Sequence, residues 1–249
     1  MSGHSKWSTI KRQKGVADAQ RGQVFTKLSK EIIMAAKAGG PDPAGNFRLR
    51  LAVQKAKENN MPADNIDRAI KRATGGGDGV ELVEIMYEGY GPAGTAVLIE
   101  VTTDNRNRMV AEIRNVLTRA GGSLGETGSV SWNFDNRGVM TISPSGKDPD
   151  EVALYAIDAG AEDVQVGGDT IDVYTAPADL EKVKKALEDN AVKVESAETA
   201  RVPRTTVQLD EKNATQMLRL VEKLEALDDV QKVYFNAEFS DDVLASYTS

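Results

Sequence analysis

The hydrophobic periodicity of the chain changes from that of helices to that of strands at a run of glycines, residues 75–79 (GGGDG). Before this run, apolar residues such as Val24, Leu28 and Ile32 recur every four positions, and this spacing predicts amphipathic helices. After it, segments such as SVSWNF alternate apolar and polar residues, which is typical of strands covered on one face. We therefore predict a helical domain followed by sheet domains.

Three short helices are predicted in the first part of the chain. One begins near Gln23 and ends at the Gly- and Pro-rich residues 38–46 (AGGPDPAGN). Asn46 is a candidate N-cap for the second helix, and Pro62 suits the first turn of the third. Residues 1–22 show no helical periodicity. The predicted domains are therefore a flexible basic arm, residues 1–22, and a helical domain, residues 23–78.

Two α/β patterns follow. Residues 137–202 have the order strand, helix, strand, strand, helix, strand, which is the ferredoxin-like order. Residues 79–136 and 203–249 each hold part of a second pattern, and we predict that they combine into one α/β domain. The predicted fold class is α+β: an N-terminal three-helix domain followed by two ferredoxin-like α/β domains, one of which (residues 137–202) is inserted in the other.

The charges are divided unevenly along the chain. Residues 1–74 contain 15 Lys and Arg and 6 Asp and Glu, a net charge of +9. Residues 75–249 contain 16 and 32, a net charge of −16. Because phosphate groups are bound by cations at several points, this division predicts a polyanion-binding N-terminal part on an acidic body. The alternative interpretation is a solvated charged surface with no binding role.

Two residue types that often carry catalysis, cysteine and histidine, are scarce or absent. The chain has no cysteine, and its only histidine is His4, in the predicted arm. A Ser–His–Asp triad therefore cannot be built elsewhere, and neither a GxxxxGK[ST] nor a GxGxxG motif occurs. We predict a non-enzymatic protein with no metal, no cofactor and no small-molecule substrate. The chain has no long apolar run, and the lack of cysteine fits a reducing compartment, so we expect a cytoplasmic protein without a membrane partner.

The candidate nucleic-acid contacts are basic residues of the arm and of the helical domain, with one aromatic residue among them. They are Lys6, Trp7, Lys11, Arg12, Lys14, Arg21, Lys27, Lys30, Arg48, Arg50, Lys71 and Arg72. Trp7 could stack on a base or enter a groove, or it could fix the arm against the helical domain by burial. Arg48 and Arg50 are two positions apart, so they do not share a helix face. No helix-turn-helix, zinc-finger or RNA-recognition-motif signature is present.

Several long, ungapped blocks between Ser2 and about Phe134 resemble the YebC family. They are IKRQKG, DAQRGQVFTKLSKEI, NNMPADNIDRAIKRATGG, YEGYGPAGTAVLIEVTTDNRNR and GGSLGETGSVSWNF. The resemblance implies an N-terminal helical bundle, two α/β domains, a cytoplasmic location and no enzyme chemistry. It also implies a nucleic-acid partner. Bacterial members are described as probable transcriptional regulators that bind promoter DNA, and a mitochondrial relative is a translational activator of a cytochrome oxidase subunit. The family is also linked to the ribosome, where it helps translation through proline-rich stretches.

The function predicted from these observations is that of a DNA-binding transcriptional regulator that uses the basic arm and the helical domain. The alternative is a ribosome-associated translation factor that contacts ribosomal RNA and relieves stalling. The arm favours this alternative, because a Gly-broken basic segment with Trp7 suits an RNA crevice better than the regular groove of a duplex. A third hypothesis is an adaptor whose acidic sheet domains bind protein. The sequence does not determine the oligomeric state or the target genes.

Overall fold

The structure is a computed structural model, and it describes residues 18–75, 81–144, 146–167 and 170–248. The predicted fold class is confirmed: helices come first and two antiparallel sheets with their helices follow. Contacts between residues divide the described chain into two compact units. Residues 133–205 form one unit, and the other described residues form the second.

The helices and strands are numbered in chain order. They are α1 (Asp18–Gly39), α2 (Phe47–Glu58), α3 (Ala63–Ala73), β1 (Val83–Tyr90), β2 (Ala96–Thr103), α4 (Arg106–Arg119), β3 (Ser123–Leu124), β4 (Phe134–Ser143), α5 (Pro149–Ala159), β5 (Asp163–Gly167), β6 (Thr170–Thr175), α6 (Leu180–Asp189), β7 (Lys193–Pro203), β8 (Val207–Gln208), α7 (Glu211–Glu225), β9 (Val230–Phe235), β10 (Ala237–Glu238) and α8 (Asp241–Thr248).

The three predicted N-terminal helices are present and share one core. Ile32 of α1, Leu49 of α2 and Ile66 of α3 are all buried in it. Asn46 is the predicted N-cap of α2: its side-chain oxygen accepts the N–H of Leu49 at 3.0 Å, and its amide group donates to a carbonyl of α1. Helix α1 begins at Asp18 rather than near Gln23. Its first turn, rich in Ala, Gln and Arg, favours a helix without supplying an apolar stripe.

The sheet of the same unit has the strand order β3-β1-β2-β9, and neighbouring strands are antiparallel. Helices α4 and α7 contact each other and contribute buried residues such as Ile113 and Leu218. The short strands β8 and β10 form a separate parallel pair. Helix α1 contacts strand β9, so the helical part of this unit is joined to its sheet.

The unit formed by residues 133–205 has the predicted order β4-α5-β5-β6-α6-β7. Its four strands are arranged β5-β6-β4-β7, which is the arrangement of a ferredoxin-like sheet. Val152 of α5 and Val183 of α6 are fully buried, as are Met140 and Ile142 of β4. Asp148 is the N-cap of α5, because its carboxylate accepts the N–H of Asp150 at 3.0 Å. Strand β5 lies at one edge of this sheet.

One predicted strand is wrong. The alternation in SVSWNF predicts that Trp132 faces a core, but residues Ser131–Asn133 form a 3₁₀ turn and Trp132 is 66% exposed. The cause is Glu88 of β1, whose carboxylate accepts the backbone N–H groups of Gly128, Val130 and Ser131 at 2.7, 2.8 and 2.8 Å. These donors would otherwise serve a strand ladder. The loop before β4 is therefore folded around a carboxylate.

Candidate nucleic-acid interface

The structure describes seven of the twelve predicted contact residues. Lys6, Trp7, Lys11, Arg12 and Lys14 lie outside the described residues, so their role stays a prediction. Arg21 is exposed near the start of α1 and takes part in an interaction within the chain. The other six lie on the three N-terminal helices, and their contacts within the chain differ.

One face of α1 binds the end of α7. Gln23, Lys27 and Lys30 follow one another at i, i+4 and i+7, and they therefore lie on the same side of the helix. The side chain of Gln23 donates to the carbonyl of Ala226, and that of Lys27 donates to the carbonyl of Glu225. The last carbonyls of a helix accept no hydrogen bond within it and carry partial negative charge. Lys27 thus provides a hydrogen-bond donor for a free carbonyl at the C-terminal end of α7, and its positive charge offsets the partial negative charge there.

Lys30 joins α1 to the carboxylate of Asp229, the residue before β9. Asp229 is 7% exposed, and its carboxylate also accepts the hydroxyl of Thr103 at 2.7 Å and a guanidinium N–H of Arg108 at 2.5 Å. Burial raises the pKa of the Asp229 carboxyl, but hydrogen bonds from Lys30, Thr103 and Arg108 outweigh it and hold this pKa below its ordinary value. Asp229 is therefore ionised at neutral pH and connects three elements.

Arg48 and Arg50 of α2 point to different partners, as their spacing predicts. The guanidinium of Arg48 forms an ion pair with the carboxylate of Glu84 on β1. Arg50 donates to the carbonyls of Pro43 at 2.7 Å and of Ala44 at 3.2 Å, and its guanidinium carbon lies 5.4 Å from the centre of the Phe47 ring. Both arginines therefore have intramolecular contacts that a nucleic acid would have to share or replace.

Lys71 and Arg72 are the predicted contacts that are most available for an external ligand. Both are exposed in the last turn of α3, and their side chains make no hydrogen bond or ion pair with the described part of the chain. Arg68 is exposed on the same side of α3, and among the described residues its side chain bonds only to Asp64 and Asn65 of its own helix. We call Arg68, Lys71 and Arg72 the α3 basic surface. The sequence prediction missed Arg68, although its i+3 and i+4 spacing to the other two was visible.

A cleft of about 370 Å³ adjoins the α3 basic surface, because Arg72 lines both. Its charged lining residues are Lys30, Arg72, Asp104, Arg108 and Asp229. Three of these are cations and two are acids, so the cleft carries one excess positive charge. The first turn of α4, at the positive end of the helix dipole, borders the cleft as well. Lys30 and Arg108 are paired with Asp229, so Arg72, which also belongs to the α3 basic surface, is the cleft cation without a partner among the described residues.

Two other kinds of site are absent from the described residues. No helix there is long and apolar enough to cross a membrane. No group of three or more His, Asp or Glu side chains within the described ranges is arranged to hold a metal ion.

Comparison with known proteins identifies the family. A model described as the TACO1/YebC protein N-terminal domain matches residues 5–76, and one described as the TACO1/YebC second and third domain matches residues 82–237. A probable transcriptional regulatory protein of Dehalococcoides mccartyi is 55% identical, and the alignment covers 100% of this chain and 99% of that protein. Another of the same description from Desulforamulus reducens is 54% identical over 96% of this chain and 99% of its own length.

A solved structure is also similar. The crystal structure of a conserved hypothetical protein from Aquifex aeolicus matches with a TM-score of 0.83 and 45% identity. The match covers 90% of this chain and 93% of that one. Both family models together span the helical part and the two sheets, and the relatives match over nearly their full lengths. The chain belongs to the TACO1/YebC family.

Proposed function

We propose that this protein is a non-enzymatic transcriptional regulator that binds DNA through its helical domain and basic arm. The observation that carries the proposal is the α3 basic surface, because Lys71 and Arg72 are exposed cations without described partners. The names of the relatives support a regulatory role. Arg72 also lines the neighbouring cleft, whose other two cations, Lys30 and Arg108, are paired with Asp229. Exposed cations of this kind neutralise phosphate charges, and this neutralisation provides most of the affinity for nucleic acid.

The contacts on α3 are those expected for phosphates rather than for base edges. Recognition helices that enter the major groove read bases mainly with residues near their N-terminus. The N-terminal half of α3 carries Asp64 and Asp67, whereas its cations lie in the second half. Acidic residues at the leading end would be repelled by the groove. The α3 basic surface therefore contacts the sugar–phosphate backbone and orients the protein on it. Any sequence-specific contacts with bases are made by other residues.

The same observation favours a second candidate function, that of a ribosome-associated translation factor. Phosphate contacts do not distinguish sequences, and they suit a folded RNA as well as a duplex. Under this alternative the α3 basic surface and the arm contact ribosomal RNA, and the protein acts on stalled translation rather than on promoters. The two functions predict different partners for the same surface.

The test compares three ligands and three forms of the protein. The ligands are a promoter duplex, a random duplex of equal length and purified ribosomes, each titrated at several salt concentrations. The proteins are the full chain, a chain without residues 1–17, and the triple variant Arg68→Gln/Lys71→Gln/Arg72→Gln. The matched control is Lys182→Gln/Lys185→Gln/Lys193→Gln, which removes the same charge from exposed positions in the other unit. The truncation ends at residue 17 so that α1 stays intact.

The association constant for a duplex falls as salt rises, so a plot of log K against log salt has a negative slope. If the α3 basic surface binds phosphates, the triple variant makes this slope shallower by about 2–3, and the control variant leaves it unchanged. Tighter binding to promoter than to random duplex supports transcriptional control. Equal duplex binding together with tighter, less salt-sensitive ribosome binding supports the translation factor instead. If the triple variant and the control variant lose the same binding affinity, both proposed functions of the α3 basic surface are contradicted. Such a result means that only the net charge of the protein affects binding.

A further inference from the structure

Two aromatic side chains are exposed in the described part of the chain, and all the other described aromatic side chains are buried or half-buried. They are Tyr90 of β1, which is 37% exposed, and Trp132 of the 3₁₀ turn before β4, which is 66% exposed. Large aromatic side chains gain much from burial. A single exposed ring is ordinary, so the question is whether the two rings lie together.

The two rings share one hydrogen-bond acceptor. The hydroxyl of Tyr90 donates to the backbone carbonyl of Ser129 at 3.3 Å, and the indole N–H of Trp132 donates to the same oxygen at 3.0 Å. The polar ends of the two rings therefore lie side by side, although the residues belong to different elements. We call Tyr90 and Trp132 the aromatic pair.

The loop that carries the shared carbonyl is fixed by the protein itself. The carboxylate of Glu88 accepts three backbone N–H groups on both sides of Ser129, those of Gly128, Val130 and Ser131. Val130 is also buried. The aromatic pair is thus positioned before a ligand binds, which lowers the entropy cost of binding.

The aromatic pair offers ring surface to a ligand rather than hydrogen bonds. The hydroxyl of Tyr90 and the indole N–H of Trp132 both bind Ser129 already. A proline-rich peptide also docks on aromatic side chains, but it gains affinity when these donate to its carbonyls, and here both donors are used. A nucleobase needs no such donor, because it stacks through its π face.

The acids of this loop limit how a nucleic acid can approach. Glu88 is 5% exposed, and three N–H groups compensate its charge. Glu126 is exposed on the same loop, and its charge would repel a phosphate. A nucleic acid at the aromatic pair is therefore held by a base, and its phosphates are bound elsewhere, as on the α3 basic surface of the same unit.

We propose that Tyr90 and Trp132 stack on an unpaired base of a nucleic acid. The inference rests on the proposed binding of nucleic acid and adds a base contact to it. Neighbouring base pairs cover the faces of a base inside a duplex, so the ligand is a single-stranded segment, a loop or a strand end. Because every base has a π face, the aromatic pair favours unpaired strands without selecting a sequence.

The experiment uses the full chain and four ligands. They are oligothymidine of about 12 nucleotides, which is within the usual site size of single-strand binders, oligouridine of the same length, an abasic strand of the same length and a duplex. The abasic strand keeps the phosphates and lacks the bases. All proteins carry Trp7→Phe, so Trp132 is the only tryptophan in the parent protein, and quenching of its fluorescence reports stacking.

Two variants separate stacking from apolar contact. Trp132→Ala removes the side chain, and Trp132→Leu keeps an apolar side chain without a π face. Leu154→Ala is the matched control, because it removes an apolar side chain of similar exposure (60%) from the other unit. Binding is measured by fluorescence anisotropy of labelled strands at several salt concentrations, and thermal unfolding checks that each variant is folded.

We expect oligothymidine or oligouridine to quench Trp132, and a difference between them tells DNA from RNA. Both Trp132 variants should bind the base-bearing strand about tenfold more weakly, with unchanged affinity for the abasic strand and the duplex. The Leu154→Ala control should bind all ligands like the parent protein. The ratio of affinities for the base-bearing and abasic strands should not depend on salt, because both carry the same phosphates.

Equal affinity for the base-bearing and abasic strands overturns this inference and leaves the proposed function in place, because phosphates are then still bound. A Trp132→Leu variant that binds like the parent protein also overturns it, since the contact is then apolar rather than stacked. So does quenching by a proline-rich peptide without quenching by either base-bearing strand. Absence of binding to all four ligands overturns the proposed function and this inference together.

Discussion

The ammonium group of Lys30 and the carboxylate of Asp229 form an ion pair in which the two side chains are only 13% and 9% exposed. The two residues are 199 positions apart in the chain, and the pair joins the first helix to the start of β9. A nearly buried pair is sensitive to loss of one partner, since the other charge is then left in a low-dielectric position. Lys30 therefore has a structural role in this unit.

The first prediction concerns Asp229. We expect Asp229→Asn to lower the free energy of unfolding by about 2–4 kcal/mol, because Lys30 and Arg108 both lose their anionic partner. The expected loss is smaller than for a fully buried pair, because Arg108 is half exposed and water can solvate its guanidinium group. The matched control is Asp228→Asn at an exposed position, for which we expect a change below about 1 kcal/mol. Urea unfolding of both variants measures the difference, and equal losses would contradict a special role for Asp229.

The second prediction concerns Glu88 and pH. Burial raises the pKa of its carboxyl, but hydrogen bonds from the N–H groups of Gly128, Val130 and Ser131 outweigh this effect and lower the pKa below its ordinary value. A carboxylate of this kind contributes stability above its unfolded pKa of about 4.3, and that contribution is lost as the pH falls through the lower folded pKa. We expect Glu88→Gln to destabilise the protein by about 1–3 kcal/mol at pH 7.

The pH dependence distinguishes the loss of charge from a loss of packing. The stability that the carboxylate charge contributes is lost as the pH falls from the unfolded pKa of about 4.3 through the lower folded pKa, so the stability difference between wild type and Glu88→Gln should shrink there. Fluorescence of Trp132 reports on the loop itself, provided that Trp7 is replaced by Phe in both proteins. A stability difference that stays constant between pH 7 and pH 3 would mean that the carboxylate charge is not what holds the loop.

The third prediction separates paired from unpaired arginines and lysines of the helical domain. Arg48 forms an ion pair with Glu84, whereas Lys71 has no partner within the described residues. We expect Lys71→Gln to weaken duplex binding more than Arg48→Gln does, by a factor of about 3–5 at low salt, because Arg48 must first give up part of its interaction with Glu84. Anisotropy titrations with one duplex measure both variants. A larger loss for Arg48→Gln would show that the pair opens on binding.

Local patterns in the sequence predicted most of the fold. The cap Asn46 and the apolar spacing of α1 are short-range features, and each appears in the structure as predicted. The error at Trp132 has a long-range cause, since Glu88 lies more than forty positions away and its three hydrogen bonds override the alternation. The intramolecular roles of Lys27 and Lys30 are equally long-range. Composition indicates a basic surface, but only tertiary contacts distinguish Lys71 and Arg72 from cations with internal partners.

The last prediction concerns two adjacent glycines after α4. A Cβ atom on Gly122 would lie 2.1 Å from the carbonyl oxygen of Tyr90, a backbone atom of β1 that cannot move aside without disturbing the sheet. We therefore expect Gly122→Ala to lower the free energy of unfolding by roughly 3 kcal/mol or more. Gly121 has a φ of +78°, but a Cβ atom at this position would meet no other atom within 4 Å, and asparagine tolerates this left-handed conformation.

Gly121→Asn is thus the matched control, with an expected loss of about 1 kcal/mol or less. Thermal and urea unfolding of the two variants test the contrast. Similar losses at both positions would mean that backbone conformation, rather than the close approach of Gly122 to Tyr90, limits this turn. A large loss only at Gly122 would show that contact between the turn and β1 fixes the position of β3, and with it the start of the loop that Glu88 binds.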